Sequence, residues 1–71
     1  MPKFPRVSGA EAIRMLQRLG FEKVRQNGSH VVMRKVDKGC VVPLHAELKI
    51  GTLAGLLRQA AVSADDFIAN L

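Results

Sequence analysis

The sequence predicts an α+β fold with the element order α-β-β-β-α-α, built on an antiparallel sheet of three strands. Three observations carry this reading. A capping-box pattern opens an apolar stripe at helical spacing near the N-terminus. Two turn signals then separate three short runs of strand-type residues, and a second helical stripe of Leu and Ala follows. The 71 residues, 1–71, read as a single domain with a core near the lower limit for independent folding. No linker, internal repeat or low-complexity segment interrupts them.

Ser8-Gly9-Ala10-Glu11 is the capping box: Ser8 can accept from the N3 backbone N–H while Glu11 reaches back to the N–H of Ser8. Ala12, Leu16 and Leu19, with Ile13 and Met15 beside them, form the stripe. Gly20 suits the left-handed C′ position and Phe21 the hydrophobic contact that follows it, so a helix is expected over about residues 9–19. Asn27-Gly28 is the strongest short-range hairpin signal, because both central residues of a type I′ turn need φ > 0. Strands are expected from about Glu22 to Gln26, Ser29 to Lys35 and Cys40 to Leu44, with Asp37-Lys38-Gly39 as the second turn. Pro43 cannot donate to a ladder, which makes the third strand an edge strand with that position facing outward. Leu53, Leu56, Leu57 and Ala60 predict a helix from about Gly51 to Ala61. Ser63 through Asp66 resembles another cap, opening a short helix that contains Phe67, Ile68 and Leu71.

Composition excludes several classes. Hydrophobic residues make up 48% of the chain, which is globular and not disordered. There is no Trp or Tyr, and Phe4, Phe21 and Phe67 are the only aromatic residues, so base stacking on an aromatic platform is not expected to be the main way of holding nucleic acid. The single cysteine, Cys40, has no partner for an internal disulfide and fits a reducing cytoplasm. Met1-Pro2-Lys3-Phe4-Pro5-Arg6 lacks the apolar run of a signal peptide, and no segment is expected to span a membrane. The net charge of +5 is unevenly spread. All eleven Lys and Arg fall within residues 1–58, against Glu11, Glu22, Asp37 and Glu47, and the remaining tail carries Asp65 and Asp66. A basic body suits a polyanionic partner held by salt-sensitive attraction, although ordinary solubility charge gives the same balance.

The hairpin sets which residues share a face. With Asn27 and Gly28 central, Gln26 faces Ser29, Arg25 faces His30, Val24 faces Val31, Lys23 faces Val32 and Glu22 faces Met33. One face then collects Val24, Val31 and Met33 for packing under the helices. The other collects Lys23, Arg25, His30 and Arg34, with Val32 among them. A slip of one residue would bury the charged set, so register is strongly specified. If Lys35 faces Cys40, Met33 and Val42 pair inward, as do Val31 and Leu44. Arg34–Val41, Val32–Pro43 and His30–His45 then pair outward, which sets both histidines side by side.

That face can support RNA cleavage, which needs a base for the 2′-hydroxyl proton, an acid for the departing 5′-oxygen and cations for the charge on the phosphate. His30 is the candidate base, since an imidazole with its usual pKa near 6.5 titrates close to neutrality. His45 or a nearby lysine or arginine can assist, and Lys23, Arg25 and Arg34 can hold phosphate. The 2′-hydroxyl is the nucleophile, so neither metal nor cofactor is required. A surface histidine filling a strand position is the competing reading of His30, and the residues alone leave both open. Zinc would need three or four ligands, whereas only Cys40, His30 and His45 are candidates and Cys40 points to the other face. The same geometry removes Cys40 as a nucleophile and leaves it a small core residue. Ser29 is expected to face inward and support the turn. Gly51-Thr52 opens a helix that can bind an anion, with plain capping the simpler account. No carboxylate cluster suits magnesium.

Gly28-Ser29-His30, the preceding Phe21-x-x-Val24-Arg25-Gln26, the Val42-Pro43-Leu44-His45 stretch, and Gly51-Thr52-Leu53 through Leu56-Leu57-Arg58-Gln59-Ala60 together resemble the HicA toxins, in order and spacing, from Ser8 to Leu71. The resemblance implies a double-stranded-RNA-binding-domain-like fold with helices on one face of the sheet. It also implies an mRNA interferase, the toxin of a type II toxin–antitoxin system, which cleaves messenger RNA and is held inactive by a HicB-like antitoxin. The family's catalytic histidine falls on His30 and its supporting glycine on Gly28, while His45 matches a common histidine without an assigned catalytic role. Three functions follow for testing: a metal-independent endoribonuclease, a noncatalytic RNA-binding module on the same basic face, and a protein-interaction domain without salt-dependent RNA binding.

Overall fold

The computed structural model describes residues 4–70, so Met1, Pro2 and Lys3 of the N-terminal stretch and Leu71 of the expected last helix lie outside the described residues. The element order is as the sequence predicts: α1 (Gly9–Arg18), β1 (Glu22–Asn27), β2 (His30–Lys35), β3 (Lys38–Pro43), α2 (Ile50–Ala60) and α3 (Ala64–Ala69). The strands pair antiparallel in the order β1-β2-β3. Helices cover one face of the sheet, which is the double-stranded-RNA-binding-domain-like arrangement.

Helix α1 starts where its cap dictates. The Glu11 N–H donates to Ser8 Oγ at 3.1 Å, and the Ser8 N–H donates to Glu11 Oε1 at 3.0 Å. The Ser8 backbone N–H first, then the Ser8 hydroxyl and Arg14, hold the Glu11 carboxyl below its ordinary range. The helix ends in a Schellman motif: Gly20 takes φ 97°, its N–H reaches Gln17 O at 3.0 Å, and the Phe21 N–H reaches Leu16 O at 2.9 Å. Phe21 is thereby pinned in the core, 4% exposed. In α3, Ser63 caps as expected by accepting from the Asp66 N–H at 3.1 Å. In α2 the cap expected at Gly51-Thr52 is absent. The helix begins at Ile50 with Lys49 as N-cap, which makes no side-chain bond, and ends on a left-handed Ala61.

Both hairpin registers differ from the sequence reading. The first turn centres on Gly28-Ser29, leaving Asn27 opposite His30, Gln26 opposite Val31 and Arg25 opposite Val32. Positive φ is needed only at Gly28 (62°), the pattern of a type II′ turn, so Asn27 stays in the strand instead of entering a left-handed conformation. Beyond Arg25 a bulge at Val24 shifts the pairing, setting Lys23 opposite Met33 and Glu22 opposite Arg34. The bulge has a physical cause. Phe21 and Arg25 are four residues apart and would share a face in a regular strand, yet Phe21 belongs in the core and Arg25 in solvent. One unpaired residue reconciles them. Val24, expected in the core, is therefore 53% exposed, and Lys23 moves off the basic face.

The second turn centres on Val36-Asp37, with Lys35 opposite Lys38, Met33 opposite Cys40, Val32 opposite Val41, Val31 opposite Val42 and His30 opposite Pro43. The expected pairing was two residues out of step, which preserves the faces but changes every partner. Leu44, expected in the core beside Val31, instead stands exposed past the strand end. Pro43 sits on an edge strand, as expected. The adjacent Leu44 N–H donates to Ser29 O at 2.7 Å, so the missing proline N–H falls at a non-bonded position. Its ring, expected outward, is buried.

The core joins Val31, Met33, Cys40 and Val42 of the sheet to Ala12, Met15, Leu16, Leu53, Leu56, Leu57 and Phe67 of the helices. The start of α1 lies so close to β3 that a Cβ on Gly9 would meet Pro43 O at 2.1 Å. A Cβ on Gly55, within α2, would meet no heavy atom within 4 Å. The same substitution should therefore act in opposite directions. Gly9→Ala is expected to destabilise by about 1–3 kcal/mol, because backbone must move. Gly55→Ala should stabilise by about 0.5–1 kcal/mol. Thermal unfolding reads both, at roughly 4–8 °C per kcal/mol for a domain of this size, and equal signs would contradict the packing described.

Candidate nucleic-acid interface

Alternation along the strands divides the sheet into a helix-covered face and an open one. Three cross-strand rows run across the open face: Asn27–His30, closed by the buried Pro43, then Arg25–Val32–Val41 and Glu22–Arg34–Gly39. Neighbouring strands are about 4.8 Å apart, and successive rows are separated by about 6.7 Å along a strand. Arg25, opposite Val32, is therefore the diagonal neighbour of both His30 and Arg34. All three side chains are exposed. The arrangement sets an imidazole at the end of a rigid, hydrogen-bonded platform, with the Arg25 guanidinium on its diagonal and the Arg34 guanidinium two rows along the same strand.

The turn next to His30 is braced. Gln26 Nε2 donates to Gly28 O at 3.1 Å, and Ser29 O receives the Leu44 N–H. That last bond carries the β2–β3 register one step past Pro43, and His45 follows in the loop, so His30 pairs with Pro43 and not with His45. His45 belongs to the loop after β3, and its carbonyl accepts the Gly9 N–H at 2.9 Å, so α1 holds that loop against this end of the sheet. Both histidines thus reach the same end of the sheet without being cross-strand partners.

Two other basic side chains are directed elsewhere. Lys23, expected beside His30, pairs on the Met33 side, and its Nζ donates to Gln26 Oε1 at 3.5 Å. Lys35 Nζ donates to Leu19 O at 2.7 Å and stands 6.0 Å from the Phe21 ring centroid. Cys40 is buried on the helix-covered face, and burial pushes its thiol up to about 11, which keeps it protonated near neutral pH. Sequence reasoning missed Asn27, the partner of His30, and Glu22, the partner of Arg34. The signal for both was present: Gly-Ser is itself a type II′ turn pair, and the four-residue interval from Phe21 to Arg25 demands a change of face.

A family model described as the HicA toxin of bacterial toxin–antitoxin systems matches residues 9–62, which spans α1 through the end of α2. The chain belongs to the HicA toxin family. It is accordingly the toxin of a toxin–antitoxin system and has a cognate antitoxin as partner. A comparison with curated proteins gave no match. Among the described residues, no helix is long and apolar enough to cross a membrane.

Gly28 separates a backbone role from a contact role. A Cβ there would meet no heavy atom within 4 Å, so only its φ of 62° resists a side chain. Gly28→Ala should lower unfolding free energy by about 1–2 kcal/mol, and Gly28→Asn should recover most of it, because asparagine tolerates the left-handed region. Chemical denaturation checks this, and equal losses for both variants would show that the turn is not the reason for glycine.

Proposed function

We propose that this HicA-family toxin is a metal-independent endoribonuclease that cuts messenger RNA on the open face of its sheet. The observation that carries the reading is the exposed His30, diagonal to Arg25 and in line with Arg34 on one face. His30 takes the 2′-hydroxyl proton, O2′ forms a bond to phosphorus, and the bond from phosphorus to O5′ breaks. The departing O5′ receives a proton from an acid, a role for which His45 is the candidate at the same end of the sheet. Arg25 and Arg34 hold the phosphate and offset the charge that develops on it. Gly28 shapes the turn that presents His30. The products are a 2′,3′-cyclic phosphate and a 5′-hydroxyl. The internal nucleophile leaves no task that demands a cofactor.

The antitoxin in this reading is HicB-like, and an exposed basic face is a natural docking place for an acidic inhibitory segment. Family membership supports the toxin part of the proposal, and the outward-facing imidazole with Arg25 on its diagonal supports the chemistry.

Purified protein should cut RNA in EDTA and leave cyclic or hydrolysed phosphate at the upstream end. Upstream fragments bearing only 3′-hydroxyls would reject attack by O2′. His30→Ala should cut at least about a hundredfold more slowly, the usual minimum for losing a general base, while retaining most RNA affinity. Salt-dependent RNA binding with no cleavage by the wild type would identify a noncatalytic module instead. Arg25→Ala should flatten the slope of log affinity against log salt by about 0.7, the value of one phosphate contact on a single strand. An unchanged slope would remove Arg25 from the contacts.

A further inference from the structure

The middle row of the open face carries two valines beside one arginine, between a row that holds Asn27 and His30 and a row that holds Glu22 and Arg34. Val32 and Val41 are cross-strand partners, Val32 half-buried and Val41 43% exposed, with Arg25 completing the row. His30 lies one row to one side and Arg34 one row to the other. A ligand made only of phosphates gains nothing from two valines there. A nucleotide strand does, because its phosphates are anionic while the faces of its bases are apolar. Duplex RNA keeps those faces stacked inside the helix, whereas a single strand can turn them outward.

The protein's aromatic side chains are engaged elsewhere. Phe21 and Phe67 are buried in the core, and Phe4 packs against it. Contact with a base on this face therefore falls to the valine pair. Valine has no donor or acceptor with which to read a base edge, so the contact tolerates any base.

We propose that Val32 and Val41 form a base-contact platform on which a nucleobase of single-stranded RNA lies, with its flanking phosphates on Arg25 and Arg34. The inference rests on the reading of this face as the RNA-binding surface and adds to it the residues that select an unpaired strand. Charge complementarity commits the occupant: the Arg25 guanidinium closes the valine row on β1, and the Arg34 guanidinium stands one row along β2, so two cations border the apolar pair on adjacent sides.

The test compares two probes of equal length and phosphate number, a short oligodeoxythymidylate and its fully abasic counterpart. Neither has a 2′-hydroxyl, so neither is cut. Fluorescence anisotropy with wild-type protein should show the thymidylate binding several-fold more tightly. Val41→Phe supplies an aromatic face at an exposed strand position and keeps strand propensity. It should tighten thymidylate binding by roughly fivefold to tenfold, as base–aromatic stacking does, and leave the abasic probe unchanged. Val41→Thr keeps the branched shape, adds a hydroxyl and should narrow the difference between the probes. Circular dichroism confirms that each variant is folded. Equal affinity for both probes, or no gain with Val41→Phe, would overturn the platform. Wild-type RNA cleavage measured alongside separates the two ideas. Cleavage with equal affinities removes the platform and leaves the nuclease standing. Base-dependent binding without cleavage removes the nuclease and keeps the platform.

Discussion

The left-handed backbone at Gly28 sets the register on which the rest of the sheet depends. With φ 62° at the first central position, the loop closes over Gly28 and Ser29, and Asn27 and His30 become the last cross-strand pair. The Arg25–Val32 pair on the open face follows from that pairing by counting outward. The opposite end of β1 is held by a different constraint, the Schellman bonds that keep Phe21 in the core. The two constraints disagree by one residue, and the bulge at Val24 absorbs the difference. A bulge on an edge strand also twists it and spoils it as a template for another chain, which lowers the hazard of an otherwise unpaired edge.

Close approach of backbone helps tie the segment before α1 to the rest of the fold. Leu48 N–H donates to Val7 O at 2.8 Å and Gly9 N–H to His45 O at 2.9 Å, which fastens the loop after β3 along the entry to α1. Gly9 lacks a Cβ where α1 comes close to Pro43, so the helix can begin directly over the strand end. Strain is tolerated at the other end of the sheet. Val36 takes φ 55° in an exposed turn, a conformation that branched residues rarely adopt and that costs on the order of 1–3 kcal/mol. The histidine-bearing end of the sheet is thus the braced one, by Gln26, the Leu44–Ser29 bond and the α1 entry.

The division between faces connects this packing to function in a HicA-family toxin. Every large apolar side chain of the sheet that the helices need points to one side, and no buried polar or charged side chain interrupts the core among the described residues. The other side is free to carry His30, Arg25 and Arg34 without a desolvation cost, because these groups remain in water. Rigid strands hold such groups more closely to a working geometry than loops do. Lys35, by contrast, covers the end of α1 and the Phe21 ring, an example of a cation with a structural use.

Element order, the capping box at Ser8, the Schellman end at Gly20 and the inward set Val31, Met33, Cys40 and Val42 were all legible in the sequence, because each rests on interactions within a few residues or on simple alternation. The outward set Arg25, His30 and Arg34 was legible for the same reason: a register error of two residues leaves faces unchanged. Only the tertiary structure decided the partners. Which residues occupy the turn, that Val24 bulges, that Lys23 crosses to the other face and that His30 meets Pro43 instead of His45 depend on where Phe21 is pinned and where α1 meets β3. Those are contacts between distant segments, and local propensity is nearly blind to them. A shift of one or two positions costs little in any single strand and becomes expensive only when helix and sheet must close over one core.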